Sequence, residues 1–297
     1  MKAYDRNLQN VKIIEKSKLG EKPIIYVTER DLELFFRSIT KYANSTIDKL
    51  YHCVKSGFAI AVEEGMVGKN LMNSRTFKRK VKSVKPDKKV RGFTRDEQER
   101  FLKALSEHKV PRWRNNDYKN QLLIELYAGM RMGEINALKP EDIDFTNGVI
   151  HVRRTISKGL NDKSHVREST KTMKGMRDVP INDLVRPVLE DAIRNAPYNK
   201  QGLIFYDKVN NKVITTSQVN NLFKRLLEKA NIEDRGQHAL RHTFATRAIE
   251  AGVDPIVLRD WLGHTDIHIT LDTYADVFTN LNRDAMKKFV DYTGGIR

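Results

Sequence analysis

The chain has 297 residues and a formal net charge of +16, with 54 Lys and Arg against 38 Asp and Glu. This length predicts about two domains, and the absence of an apolar run of about 18 residues argues against a membrane span. The first residues lack a signal-peptide core, and the single cysteine, Cys53, excludes an intrachain disulfide and a cysteine-cluster metal site. We therefore expect a protein of the reducing cytoplasm.

The positive charge is concentrated near the N-terminus. Lys and Arg exceed Asp and Glu by 11 in residues 1–92, but by only 5 in the remaining 205 residues. A basic protein attracts polyanions because neutralised phosphates release their condensed counterions. Charge alone does not distinguish DNA from RNA or from an anionic membrane.

The first 74 residues have helical patterns. Thr28 and Asp31 resemble a capping box, and Ser45 is a candidate cap for a second helix. Gly65 stands where a left-handed helix end is expected. The apolar positions at helical spacing in the second helix are Ile47, Leu50, Tyr51, Val54, Phe58 and Val62. We predict a small helical domain over residues 1–74, whose first 20 residues look like the end of a longer helical element.

A strongly basic segment follows over residues 75–92. It contains Pro86, little apolar periodicity and a single acidic residue, which is typical of an extended linker that can lie along a phosphate backbone. The alternative is a linker that is merely solvated. The candidate DNA-binding residues are Arg75, Lys78, Arg79, Lys80, Lys82, Lys85, Lys88, Lys89 and Arg91.

Residues 93–297 are predicted to form a second domain that is mainly α with a small antiparallel β-sheet. Thr94 and Glu97 suggest a capping box, and Asn116 is a candidate cap for the next helix, which should bury Leu122, Leu123, Leu126 and Tyr127. Alternation in VIHVRRTI and MRDVPI predicts two strands with a polar loop between them. Further helices are expected over 182–195, 216–231, 237–251 and 254–262.

Several residues of this domain have types suited to phosphate chemistry. Arg131 follows an apolar helix that should end near Gly129, and Glu134 comes one turn later, close enough to orient its guanidinium. His238 and Arg241 are three residues apart and share one face of a helix. Gly263 should end the last of the expected helices and leave His264 at its terminus.

Two further candidates stand in polar surroundings. Tyr274 lies in TLDTYADV, where no apolar stripe requires it, and Lys171 lies in the loop or strand edge between the two strand patterns. Taken singly, Tyr274 is more often a packing residue and Lys171 a solvated lysine. Lys174 is a rival for the role of Lys171, and His268 is read as helix surface.

Together these segments resemble the tyrosine recombinases, the integrases of phages and integrative elements. The resemblance covers nearly all of residues 94–280. Its blocks, in order, are Ala128-Gly129-Met130-Arg131-Met132-Gly133-Glu134, Lys171 in a T-K-T setting, His238-Ala239-Leu240-Arg241, Leu262-Gly263-His264 and Thr270-Leu271-Asp272-Thr273-Tyr274. Each block is weak alone, but five in order are specific. Ala128 replaces the usual threonine, a departure that affects no catalytic role.

The resemblance implies a role for each matched residue. Tyr274 attacks a DNA phosphate to give a 3′-phosphotyrosyl intermediate, while Arg131 and Arg241 bind the nonbridging oxygens in bidentate fashion. His238 assists removal of the phenol proton and Lys171 protonates the leaving 5′ oxygen. His264 donates a hydrogen bond to the phosphate, and Glu134 buttresses the arginines. No metal and no cofactor are expected.

The resemblance also implies an assembly. Double-stranded DNA in the prokaryotic cytoplasm is the expected partner. The helical core-binding domain and the catalytic domain should form a C-shaped clamp around it, and four subunits should assemble on the DNA as a homotetramer. A C-terminal helix with Ala285, Met286, Phe289 and Val290 docks on a neighbouring subunit or on its own domain. No arm-site-binding domain is recognised, so the chain is either N-terminally truncated or a shorter relative.

Two other functions remain open at this point. A type IB topoisomerase uses the same chemistry to relax supercoils without exchanging partners, and a DNA-binding accessory protein would have no catalysis. The basic helical module favours integration and excision of a mobile element over the first alternative. The retained catalytic set argues against the second, because a binding module has no use for Tyr274.

Overall fold

The computed structural model describes residues 2–74, 77, 81–85, 91–109, 117–158, 164–168, 176–264, 267, 289–290 and 293. The chain forms two compact units, one over residues 1–89 and the other over 90–158 and 163–297.

The first unit is helical over its described residues. It contains α1 (Lys2–Glu15), α2 (Glu29–Ser38) and α3 (Asn44–Glu63), with short 3-10 turns at Ile24–Tyr26 and Leu71–Asn73. Its core is built from apolar residues one helical turn apart, among them Leu32, Phe36, Ile47 and Leu50, all at most 2% exposed. The buried Tyr51 hydroxyl donates a 2.7 Å hydrogen bond to the carbonyl of Phe77, which satisfies the polar end of that ring.

The predicted helix signals in this unit are confirmed in part. Thr28 and Asp31 form a reciprocal capping box, and Gly65 has a φ of 71°, the left-handed conformation expected beyond a helix end. The Ser45 cap was wrong, because α3 begins at Asn44 with Ala43 at its N-cap. Of the apolar residues at helical spacing in α3, Val62 in the last turn is 37% exposed, whereas the other five are buried.

The second unit contains most of the helices. They are α4 (Arg95–Ser106), α5 (Lys119–Ala128), α6 (Met132–Ile135), α7 (Arg186–Arg194), α8 (Thr216–Lys229), α9 (His238–Glu250) and α10 (Pro255–Leu262). Thr94 and Glu97 form the predicted capping box at α4. One apolar core joins α4, α5, α7 and α8, and its Phe93 and Phe101 rings lie 5.3 Å apart.

The described part of this unit also contains seven short strands. They are β1 (Ile143–Asp144), β2 (Val149–Val152), β3 (Arg154–Lys158), β4 (Ser164–Glu168), β5 (Arg177–Pro180), β6 (Tyr206–Asp207) and β7 (Lys212–Val213). A three-stranded antiparallel sheet has the order β1-β2-β5, while β3 with β4 and β6 with β7 form two separate ribbons. Ile150 faces Val179 across the sheet, and both are buried against the helices.

Three predictions in this unit need correction. The VIHVRRTI run is two strands in different sheets, because the chain leaves the first sheet at Arg153. The segment predicted as a loop contains β4, which pairs with β3 over five residue pairs. Asn116 lies outside the described residues, and the N-cap of α5 is Tyr118. Of the apolar residues assigned to the buried face of α5, Leu122 and Leu126 are buried, while Leu123 and Tyr127 are half-buried.

No helix within the described ranges is long and apolar enough to cross a membrane. The same residues contain no group of three His, Cys, Asp or Glu side chains placed to hold a metal ion.

Candidate active site

Arg131 is presented by a sharp break between two helices. α5 ends at Ala128, as predicted, and Gly129 takes a left-handed φ of 63°. The chain then runs extended to Arg131, which is the N-cap residue of α6. Its side chain is 41% exposed. A helix end followed by a glycine therefore places one guanidinium at the surface of the core.

Glu134 holds that guanidinium in place. Its carboxylate accepts hydrogen bonds from the Arg131 backbone at 2.9 Å and from Arg131 Nη1 at 3.0 Å. Burial by itself would raise the pKa of Glu134, but the hydrogen bonds and charges of Arg177 and Arg131 outweigh it and lower the pKa to about 2. The predicted contact between Glu134 and Arg131 is confirmed.

His238 and Arg241 occupy the first turn of α9, and both face α5. Arg241 is only 6% exposed, and its Nη1 donates a 2.7 Å hydrogen bond to the carbonyl of Gly129. Its Nη2 donates to the carbonyl of Leu262. His238 is more open, with a side chain that is 61% exposed. The Arg241 guanidinium is thus fixed between the ends of two helices.

The end of α10 is held by three different arginines. Arg177 Nε donates to the Trp261 carbonyl at 2.7 Å, Arg241 to the Leu262 carbonyl, and Arg131 Nη2 to the Gly263 carbonyl at 3.0 Å. The last carbonyls of a helix have no partner within the helix and carry the negative end of its dipole, so cations are favoured there. Three guanidiniums meet here, and Glu134 is bonded to two of them, Arg131 and Arg177, which makes a site suited to an anion.

His264 follows this turn and lies beside the same cations. Gly263 ends α10 with a φ of 62°, as predicted. Burial, together with the positive charges of Arg241 and Arg131, lowers the pKa of His264 to about 4. The imidazole is therefore neutral at pH 7, and it can donate one hydrogen bond to a phosphate without adding positive charge.

Two residues of this cluster were missed from the sequence. Arg177 donates two hydrogen bonds to Glu134, at 3.1 and 2.8 Å, and its side chain is only 8% exposed. Its signal was strand alternation, since Arg177 shares the inward face of β5 with Val179. His242 is the second. Burial, followed by the charges of His238 and Arg241, lowers its pKa to about 4.

The structure thus brings together Arg131, Glu134, His238, Arg241 and His264. Tyr274 and Lys171 lie outside the described residues, as do Lys174 and His268. Among the linker candidates, Lys82 and Lys85 are exposed. Arg91 donates to both carboxylate oxygens of Glu97, at 2.8 and 2.9 Å, which favours a structural contact. Outside the described residues are Arg75, Lys78, Arg79, Lys80, Lys88 and Lys89.

Replacing Gly129 by alanine is expected to lower both stability and DNA cleavage. A Cβ there would overlap the Phe244 ring, so the ring or the glycine must shift, and a shift of the glycine displaces the carbonyl that accepts from Arg241. We expect a loss of about 1–3 kcal/mol from this overpacking, added to about 1 kcal/mol for the left-handed backbone. Urea unfolding measures the change.

Gly148 provides the matched control for this substitution. It has a φ of 67°, and a Cβ there would meet nothing within 4 Å. Gly148→Ala should therefore show the backbone effect alone and leave cleavage unchanged. Equal losses at the two positions would contradict the packing argument.

The profile of the phage integrase family matches residues 91–280. A XerC-like tyrosine recombinase of Caldanaerobacter subterraneus subsp. tengcongensis is 27% identical, with 97% of this chain and 76% of the relative aligned. The transposase from transposon Tn916 of Enterococcus faecalis is also 27% identical, over 89% of this chain; the chain spans 66% of that relative's length.

Solved structures agree with this similarity. A Tn1549 transposon integrase in complex with transposon right end DNA superposes with a TM-score of 0.81 at 24% identity, covering 97% of this chain and 93% of that one. The same integrase with a circular intermediate DNA gives a TM-score of 0.78 at 25% identity, over 95% and 91% of the two chains.

Proposed function

The chain belongs to the phage integrase family of tyrosine recombinases, and from that membership we propose how its residues cut and rejoin DNA for a mobile element. Tyr274 attacks a phosphate in the DNA backbone, a 3′-phosphotyrosyl link forms, and a 5′-hydroxyl is released. Reversal of these steps with a new 5′-hydroxyl joins the exchanged strands.

One observation carries this proposal. Arg131, Arg241 and His264 come from different parts of the chain, yet they meet at the end of α10, where the Glu134 carboxylate is bonded to Arg131. A cluster with excess positive charge that is held by main-chain carbonyls is pre-organised for an anion. A scissile phosphate, whose charge grows during attack by an oxygen, is the anion that such a site stabilises most.

The proposed residue roles follow from the chemistry of these groups. The two guanidiniums keep their charge at any working pH and bind the nonbridging oxygens. His264, neutral at pH 7, donates a hydrogen bond to the same phosphate. His238 takes the proton of the Tyr274 phenol, and Lys171 gives a proton to the leaving oxygen. The energy of the phosphoester is kept in the tyrosyl link, so rejoining needs neither ATP nor a metal.

The partners and assembly belong to the same proposal. Double-stranded DNA in the prokaryotic cytoplasm is the substrate, bound by a helical domain over residues 1–74, the basic linker over 75–92 and the catalytic domain over 93–297. The relatives solved with DNA support a DNA substrate. A tetramer exchanges the C-terminal helix between subunits, an idea supported by the exposure of Phe289 and Val290, 62% and 53%.

The test is capture of the covalent intermediate. Wild-type protein is incubated with a pool of randomised duplexes nicked near the middle, so that the short piece released by cleavage diffuses away and the adduct is trapped. We expect a protein–DNA adduct that survives denaturation, with one tyrosine among the ten of the chain carrying the DNA. Complete absence of an adduct at every salt concentration would refute cleavage.

The duplexes recovered in the adduct then distinguish a recombinase from a topoisomerase. Two labelled duplexes with the recovered sequence are mixed with wild-type protein, and hybrid products are counted. A recombinase produces hybrids, and the recovered sequences share a motif. Relaxation of supercoils without hybrids or a shared motif would support a topoisomerase instead.

A further inference from the structure

A buried carboxylate lies beside His238 and has no part in the roles described above. Glu125 of α5 is 0% exposed, and neither of its carboxylate oxygens has a hydrogen-bond partner among the described residues. The Nδ1 atom of His238 lies 3.6 Å from its Oε1. Burying an ionisable group without a full set of partners is unfavourable for folding, so its presence here points to a use in the chemistry.

We propose that Glu125 is the positioning residue of His238: it keeps the imidazole proton on Nδ1 and leaves the Nε2 lone pair available to the tyrosine hydroxyl. The inference rests on the proposed role of His238 as proton acceptor. A neutral imidazole accepts at one nitrogen only when the other carries the proton, and the partner of Nδ1 decides which it is. Contacts of this kind commonly shorten to hydrogen bonds when the substrate binds.

The proton and electron pairs balance as follows. The Tyr274 oxygen forms a bond to phosphorus while its proton passes to Nε2 of His238, which becomes an imidazolium. The bond from phosphorus to the 5′ oxygen breaks, and that oxygen takes the proton of Lys171. The positive charge on the imidazolium is stabilised by the Glu125 carboxylate at its other nitrogen. Rejoining reverses each transfer.

Opposing effects of the surroundings determine the pKa of Glu125. Burial raises the pKa of Glu125, the contact with His238 and the charge of Arg241 on α9 lower it, and the charge of Glu134 on α6 raises it; together they leave the pKa at about 7. Helices α7 and α8 also pack against α5, and they contribute apolar side chains such as Leu189 and Leu222 to the core. Ionised Glu125 can therefore stabilise the positive charge of a His238 imidazolium at 3.6 Å.

The first experiment compares Glu125→Gln with wild type in single-turnover cleavage of the captured nicked duplex. Glutamine keeps the size of the side chain but loses the charge that selects the tautomer. We expect cleavage to slow by about 10- to 100-fold, part of the ~10²–10⁴-fold that a positioned base contributes. In the double variant Glu125→Gln with His238→Ala, the loss should be no greater than in His238→Ala alone, because both act through one group.

A second experiment separates the attacking side of the reaction from the leaving side. A duplex with sulfur in place of the bridging 5′ oxygen has a leaving group that needs no proton. This substrate should restore cleavage by Lys171→Ala. It should leave the defect of Glu125→Gln in place, since the tyrosine proton must still be removed.

The melting temperature provides a third test, because losing a merely structural residue would lower it. The pKa of Glu125 is higher in the folded chain, about 7, than its ordinary 4.5, so ionisation destabilises the fold increasingly from pH 4.5 to pH 7. Glu125→Gln should therefore melt at a higher temperature than wild type at pH 8, and the difference should vanish below pH 4.5.

Each outcome decides the question. Three results together support the positioning role. Glu125→Gln cleaves slowly at an unchanged or higher melting temperature, its loss does not add to that of His238→Ala, and the sulfur substrate does not restore its cleavage. Wild-type cleavage by Glu125→Gln, additive losses with His238→Ala, or a lower melting temperature at pH 8 would overturn it. If the wild-type protein forms no adduct, the proposed function is refuted as well. If the wild type is active and Glu125→Gln cleaves equally well, only the role of Glu125 is refuted.

Discussion

Tyr274→Phe is expected to form no covalent adduct with the nicked duplexes that should trap the wild-type protein. Phenylalanine lacks the oxygen that bonds to phosphorus, so no amount of transition-state stabilisation by Arg131 and Arg241 can compensate. Gel electrophoresis after denaturation measures the adduct, and a filter-binding assay shows that DNA binding is retained. We expect adduct formation to fall to background, the largest effect of any single substitution in the chain.

Tyr198→Phe is the control for this experiment. Tyr198 is 95% exposed, and the same atom is removed without touching the arginine cluster. Its adduct should form at the wild-type rate. An adduct that persists in Tyr274→Phe would mean that another residue is the nucleophile, and the order of the sequence blocks would then be misleading.

Glu134→Gln is expected to give the largest loss of stability near the site. The carboxylate pairs with Arg177 at 2.8 Å and with Arg131 at 3.0 Å, and the Arg177 side chain is 8% exposed. Removing its charge leaves two guanidiniums without a counter-charge. The decrease in the pKa of Glu134 from 4.5 to about 2 corresponds to about 3 kcal/mol at pH 7, which agrees with the effect of breaking a buried ion pair.

The pH dependence of this effect has a definite sign. The folded-state pKa of Glu134 is lowered, so its contribution is fully present above pH 4.5 and is lost as the pH falls through about 2. Urea unfolding of wild type and Glu134→Gln should therefore differ by about 3 kcal/mol at pH 7 and converge towards pH 2. Cleavage should also slow, because Arg131 loses its support.

Glu141→Gln is the matched control. Glu141 pairs with Arg154 at 2.8 Å, but its side chain is 62% exposed. A surface pair of this kind contributes about 0–1 kcal/mol, so stability and cleavage should change little. A loss as large as that of Glu134→Gln would show that burial is not what makes the Glu134 pair important.

Local patterns predicted much of the helical architecture. Capping boxes at Thr28 and Thr94 and left-handed glycines at Gly129 and Gly263 stand where the sequence placed them. Such signals are reliable because cap and helix end interact within about four residues. The short range of these signals also explains why the strand predictions were wrong. Whether VIHVRRTI forms one strand or two depends on which strands pair with it, and β5, the partner of its first half, is separated from β2 by β3 and β4.

The sequence by itself determined which residue types the site would use, since arginine, histidine and a carboxylate at these spacings suit a phosphate. Only the tertiary structure decided what holds them. Arg241 bonds to Gly129, 112 residues away, and Arg177 reaches both Glu134 and Trp261. Glu125 reads in the sequence as one polar residue in an apolar helix, and its place beside His238 depends on how α5 packs on α9. Periodicity reports which face of a helix is buried, but not the partner that the face meets.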